Sequence, residues 1–336
     1  MPLPAAATED TRPTEPCQKF EGHTHQVWGV IHLPVVPEGR QIMTCSSDCS
    51  LVIWNFKTGK QVANWQDGES SRIRAIALSV DGKKVVSGSS DHAVRLWNIE
   101  TGEVIATWMG HTHCVESVCW NRDGERVLSG SLDGTTRVWD VKTGQTVLQI
   151  DTGFDYVHAA VFSPDSTLIA TGGDSWKDEQ IKIWDANTGK LVSILKGHTD
   201  AVTCLAWDDR RPLISGSVDY TIRTWSTSTW QQIAVLTGHT RAVNSIAIYP
   251  NGRILASASR DKTTRLWNLK NGQPVASPLQ HQRYVNCVSF STDGNLLATA
   301  CDDENAYTWD IPAIMKEAGL NKLLVSYPIS SALFTN

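Results

Sequence analysis

The sequence predicts an all-β protein in which seven repeated units, each a four-stranded antiparallel sheet, close into one ring. The first observation behind this is a recurrence. The segment Ser-Gly-Ser-Leu-Asp-Gly-Thr-Thr-Arg-Val-Trp-Asp at residues 129–140 has near copies ending at Trp54-Asn55, Trp97-Asn98, Trp184-Asp185, Trp225-Ser226, Trp267-Asn268 and Trp309-Asp310. Including Trp139, the tryptophans are spaced by 43, 42, 45, 41, 42 and 42 residues, the period of a stacked or closed repeat. The second observation is punctuation. Asp81-Gly82, Asp123-Gly124, Asn251-Gly252 and Asp293-Gly294 fall between the first two strands of a unit, as pairs that tolerate positive φ in two-residue hairpins. Thr58-Gly59, Thr101-Gly102, Thr143-Gly144, Thr188-Gly189 and Asn271-Gly272 fall between the last two. The third is what remains between turns: runs of five or six residues, the ordinary strand length, with Val94, Leu96 and Ile99 alternating against Arg95 and Asn98.

A length of 336 residues alone suggests two domains, but a ring of seven units makes one. Composition is that of a soluble globular chain, 41% hydrophobic and 19% charged. With a formal net charge of −5 and no basic block, a nucleic-acid partner has no support. No stretch approaches the ~20 apolar residues of a membrane span, and the start lacks the apolar centre of a signal peptide, so the expected compartment is the cytoplasm, with the nucleus open. The eight cysteines show no paired metal-ligand spacing and read as reduced, packed thiols. No metal or cofactor is expected, and the chain is expected to be a monomer.

In chain order, residues 1–16 carry Pro2, Pro4, Pro13 and Pro16 and read as a disordered tail. A short strand precedes each later Gly-His pair, as at Val104–Trp108 before Gly110-His111. Gln18–Phe20 before Gly22-His23 is therefore an outer strand without a sheet of its own. Two units carry insertions, at residues 34–39 and 174–177. After Trp309-Asp310 the pattern stops. Ile311, Ile314, Met315 and Ala318 recur at helical spacing, with Pro312 near the start and Gly319 after the end, which predicts a short amphipathic helix. Leu323, Leu324 and Val325 are apolar enough to dock on the ring, and residues 312–336 form a C-terminal helix and tail.

These repeats closely resemble the WD-repeat β-propeller family, over nearly everything from residue 20 to residue 311, with the likeness extending to the WD arrays of fungal signalling proteins. The resemblance implies a seven-bladed propeller of four-stranded antiparallel blades. It also implies that Gln18–Phe20 pairs with the last blade and joins the chain ends, which leaves no broad sheet edge open.

Four residues recur within a unit: His23, Thr44, Asp48, Trp54; His111, Ser129, Asp133, Trp139; His198, Ser215, Asp219, Trp225; His239, Ser257, Asp261, Trp267; and His281, Thr299, Asp303, Trp309. His, Ser and Asp together suggest a hydrolytic triad. Five copies on one ring argue against it, because each set includes an indole N–H that needs a partner when buried. A relay from Trp to hydroxyl to His to Asp satisfies every group internally, and the resemblance implies that same structural network. The second unit has Glu69 in place of the His, with Ser87, Asp91 and Trp97. The fourth has Gly153, with Thr171, Asp178 and Trp184. These two blades are expected to be the weaker ones. Arg95, Arg137, Lys182, Arg223 and Arg265, each two before the blade Trp, read as a dispersed inter-blade or solvated row.

The function implied is a non-enzymatic scaffold or recognition module that binds a protein or peptide. In the family, partner contacts come from residues flanking the His and Asp turns. Those positions are Gln26 and Trp28; Arg72 and Arg74; Glu116 and Leu132; Tyr156 and His158; Asn244 and Arg260; Tyr284, Asn286 and Asp302; and Lys177 in the inserted loop. Large Trp, Tyr and Arg side chains are the usual interface anchors, and the arginines suit an acidic or phosphorylated peptide. The alternatives are the recognition part of a NACHT-type signalling system, without a P-loop of its own, or a hydrolase or metal-binding propeller using His158, Asp174, Asp178 and Glu179.

Overall fold

A computed structural model describes residues 15–37, 39–66, 71–174, 180–207 and 212–324. The expected tail lies outside these residues up to position 14, as do Glu69, the inserted Trp176 and Lys177, Asp178 and Glu179, and the chain from Val325 onward.

Seven four-stranded antiparallel sheets are formed, and in six of them consecutive strands are neighbours throughout. The first blade is Val27–His32, Gln41–Ser46, Leu51–Asn55 and Gln61–Trp65. The seventh is Val285–Phe290, Leu296–Cys301 and Ala306–Asp310, completed by Gln18–Phe20. Gln18 lies opposite Thr308 and Phe20 opposite Ala306, and the Cys17 N–H donates to Thr308 O at 2.8 Å. Phe20, fully buried, packs its ring 6.0 Å from that of Trp54 in the first blade. The strand that completes the last sheet therefore also fills the joint with the first.

In the first two blades, neighbours on both faces override the alternation expected of the third strand, whereas Arg137, Arg223 and Arg265 stay half-exposed in theirs. Leu51 to Trp54 and Val94 to Trp97 are buried without interruption, including Arg95 at 5% exposure. The hydrophobic clusters accordingly run between adjacent blades, as where Met43 and Ile53 of the first meet Val85 and Trp97 of the second.

The Asp-Gly turns are longer than two residues. The Ser79 N–H bonds to Lys84 O at 2.9 Å, enclosing four residues, and only Gly82 has positive φ, at 70°. Asp81 instead accepts from the Ser79 hydroxyl at 2.6 Å and from the Lys83 N–H at 3.0 Å. The carboxylate organises the loop from inside, so a wider turn is stable. In the sixth blade Pro274 and Pro278 cannot donate to a ladder, and the outer strand shrinks to Leu279–Gln280.

The C-terminal helix spans Ile311–Glu317. Asp310 caps it by accepting from the Ala313 N–H at 2.8 Å, and Pro312 occupies the first turn, where its missing N–H costs nothing. Ile311, Ile314 and Met315 are buried, and Leu320, Leu323 and Leu324 pack against the same cluster of the sixth and seventh blades. Ala318, the fourth expected apolar contact, is the C-cap and is half-exposed.

Candidate partner-binding face

Four of the five polar sets have one geometry. In the third blade the Trp139 indole N–H donates to Ser129 Oγ at 2.8 Å, Ser129 Oγ lies 2.8 Å from His111 Nε2, and His111 Nδ1 lies 2.8 Å from Asp133 Oδ2. Because the indole can only donate, the Ser129 hydroxyl spends its proton on Nε2, and Nδ1–H points at the carboxylate. Asp133 also accepts from the Thr112 N–H at 2.9 Å and the Thr135 hydroxyl at 2.6 Å. Burial opposes its ionisation, but the bonds from His111 and Thr135 outweigh burial and hold the carboxyl well below the usual range. The equivalent His to Asp distances in the first, fifth and sixth blades are 2.7, 2.8 and 2.7 Å. Ser129, Ser215 and Ser257 have no exposed surface, so no substrate reaches these hydroxyls.

The Gly of each Gly-His pair has a packing reason. A β-carbon at Gly110 would meet the Trp139 ring at 3.1 Å and the Arg137 guanidinium at 2.8 Å; at Gly197 it would meet Trp225 at 3.0 Å. The turn must lie flat on the indole to bring the imidazole over the hydroxyl.

The seventh blade departs from the expected set. His281 Nε2 still lies 2.9 Å from Thr299 Oγ1, but Nδ1–H donates to Leu279 O at 3.2 Å. Asp303 instead accepts from the Tyr307 hydroxyl at 2.6 Å. Tyr307 stands two before the blade tryptophan, where Arg or Lys stands in most other blades, and its ring lies edge-on to His281 at 5.5 Å. A phenol at that position reaches the carboxylate first.

In the two blades without the His, the basic residue two before the tryptophan makes contacts of its own. Arg95 forms a bidentate pair with Asp91 at 3.0 and 2.5 Å, inside its own blade and not in solvent. Burial raises the Asp91 carboxyl, but Arg95 overcomes this and lowers it to about 2. In the fourth blade the Lys182 ammonium donates to Thr152 O at 2.6 Å and sits 4.3 Å over the Phe154 ring, beside Gly153.

The turns carrying His and Asp share one face, and the first strands of all seven blades wall a central channel that opens there. The channel mouth encloses about 470 Å³ and brings together Trp28, Arg74, Glu116, Leu132, His158, Asn244, Arg260 and Asn286. These side chains are coupled from blade to blade. The Trp28 N–H donates to Ser47 Oγ at 2.6 Å, the Arg74 guanidinium lies 4.1 Å over the Trp28 ring, and Arg74 Nε is 3.3 Å from Glu116 Oε1. Arg260 Nε donates to Asn244 Oδ1 at 3.2 Å, and Asn244 Nδ2 donates to Val285 O at 2.9 Å. Asn286 Nδ2 donates to Val27 O at 3.0 Å and to Asp302 Oδ1 at 2.7 Å. Burial pushes the His158 imidazole below its ordinary value, against the pull of Glu116 and Asp174. Gln26, Arg72, Tyr156 and Tyr284 stand around this mouth without lining it, all exposed.

Seven consecutive stretches, residues 14–55, 59–98, 102–140, 145–185, 189–226, 230–268 and 272–310, match the family model described as WD domain, G-beta repeat. The chain belongs to the WD-repeat family. Curated relatives match over short stretches only. "Periodic tryptophan protein 2" of Arabidopsis thaliana is 39% identical over 67 residues, 20% of this chain and 7% of that protein. "THO complex subunit 6 homolog" of Danio rerio is 40% identical over 65 residues, 19% of each chain. "Lissencephaly-1 homolog" of Caenorhabditis briggsae is 44% identical over 52 residues, 16% of this chain and 13% of that protein.

Two features of this WD-repeat propeller were not read from its sequence. Tyr307 as a substitute donor was signalled by being the one aromatic residue among basic ones in its row. The Trp28, Arg74 and Glu116 stack had no such signal, because its members are 42 or more residues apart and meet only where the first strands of consecutive blades pack together.

Proposed function

We propose that the protein is a non-enzymatic recognition platform whose channel mouth binds a protein or peptide partner bearing acidic or phosphorylated groups. The observation that carries this reading is the mouth itself. The repeat hydroxyls and carboxylates are consumed by folding, whereas Arg72, Arg260, Tyr156 and Tyr284 remain exposed around a polar cavity. Arg74 belongs to the frame, since Trp28 and Glu116 hold it; Arg72 and Arg260 are the groups positioned for a partner's anion. Tyr and Arg supply rigid contact area with little entropy to lose.

The test compares quantitative pull-downs from the source cells with wild type and the Arg72→Glu, Arg260→Glu double variant. The wild type is expected to retain a partner set that the variant loses. Partners that bind both forms equally overturn the assignment of this face.

A further inference from the structure

We infer that the opposite face carries a second docking groove, between the fifth and sixth blades and the C-terminal turn, that takes an acidic peptide segment with an apolar anchor. Arg253 precedes the strand Ile254–Ser259 and Arg260 follows it. The groove at Arg253 and the channel mouth at Arg260 therefore lie at opposite ends of one strand, about 20 Å apart at ~3.3 Å per residue.

The floor of the groove is apolar, made by Pro212, Leu269 and Leu323, all half-buried. Its rim is cationic: Arg253, Lys270 and Lys322, with no carboxylate lining it among the described residues. The volume, about 540 Å³, admits one or two large side chains. The wall is held in place. Asn251 Nδ2 donates to Leu323 O at 2.7 Å, and Arg253 Nη1 donates to Lys322 O at 3.4 Å, which fixes the one-turn helix Asn321–Leu323 against the ring.

Charge complementarity identifies the occupant. On a chain of net charge −5, the Lys270 and Lys322 ammonium groups stand exposed on this rim, and neither is ion-paired among the described residues. Carboxylates flanking an apolar side chain satisfy both features at once: the anchor removes the Leu269 and Leu323 surfaces from water, and the flanking charges meet the lysines. Rim charges of this kind steer association and set its salt dependence.

The probe is a fluorescein-labelled peptide with a Leu-Phe pair between runs of glutamate, followed by fluorescence anisotropy on the full chain. Its control has glutamine for glutamate. Binding of the acidic probe is expected to weaken about tenfold in the Lys270→Glu, Lys322→Glu variant and several-fold in the Gln equivalents, and to weaken with added salt. It is expected to be unchanged in the Arg72→Glu, Arg260→Glu variant. Binding lost in that variant and kept in the lysine variants places the probe at the channel mouth and overturns the groove while leaving the other face intact. Equal binding of the glutamine control, no binding of either peptide, or binding only to phosphatidylserine vesicles through the same lysines overturns the inference as well. Thermal midpoints matching wild type confirm that the variants are folded.

Discussion

Replacing His111 by alanine tests the internal network where it is complete, and replacing His281 tests it where it is broken. In the third blade His111→Ala removes two bonds of 2.8 Å, leaving the fully buried Ser129 hydroxyl without an acceptor and Asp133 without its imidazole donor. Asp133 keeps the Thr112 and Thr135 donors, so Ser129 bears most of the cost. An unsatisfied buried group costs about 1–3 kcal/mol and a lost bond to a charged group about as much. The sum is about 3 kcal/mol, or a fall in Tm of roughly 4 °C for a chain of 336 residues. In the seventh blade His281→Ala orphans the Thr299 hydroxyl and gives up only a 3.2 Å bond to the neutral Leu279 O, since Asp303 is already served by Tyr307. About half the loss is expected there. Tyr307→Phe, which strips Asp303 of its 2.6 Å donor, is expected to cost about 1 kcal/mol. Calorimetry of the three variants at one pH and one scan rate gives the comparison. A His281→Ala loss equal to or greater than that of His111→Ala refutes the reasoning, and so does a His111→Ala melting curve that overlies wild type.

Two further outcomes follow from the charges. Arg95→Ala leaves Asp91 without its bidentate partner and is expected to cost about 2–4 kcal/mol at pH 7; because the folded Asp91 carboxyl lies near 2, below its unfolded value, that stabilisation is lost as pH falls, and the gap from wild type in urea midpoint should close below about pH 4. Burial lowers His32 and His281 to about 4, below the unfolded value near 6.5. Their neutral forms stabilise the fold fully above pH 6.5, and stability falls as pH drops from 6.5 to 4, on the order of 3 kcal/mol for each. Urea titrations across that range check this, and His32→Asn should flatten about half of the slope.

The sequence by itself determined the ring. A 42-residue period with a tryptophan, turn glycines and an internal polar relay specifies seven similar blades, because each unit writes its own hydrogen-bond partners within about 30 residues, as from His111 to Trp139. The closing strand was legible for the same reason: Gln18–Phe20 stands before Gly22-His23 as Val104–Trp108 stands before Gly110-His111. The four-residue turn at Asp81-Gly82 was misread because a carboxylate that folds back on its own loop leaves the same dipeptide signature as a tight hairpin. What only the tertiary structure decided is whatever depends on the neighbouring blade. Burial of both faces turned Arg95, read as part of an inter-blade or solvated row, into half of an ion pair within its own blade. The contest between Tyr307 and His281 for Asp303 was settled by reach within the folded blade, and Arg74 became part of a frame because packing of the first three blades brought Trp28 and Glu116 to either side of it. Periodicity records what each unit does for itself; side chains from different units meet only when the ring fixes their distances.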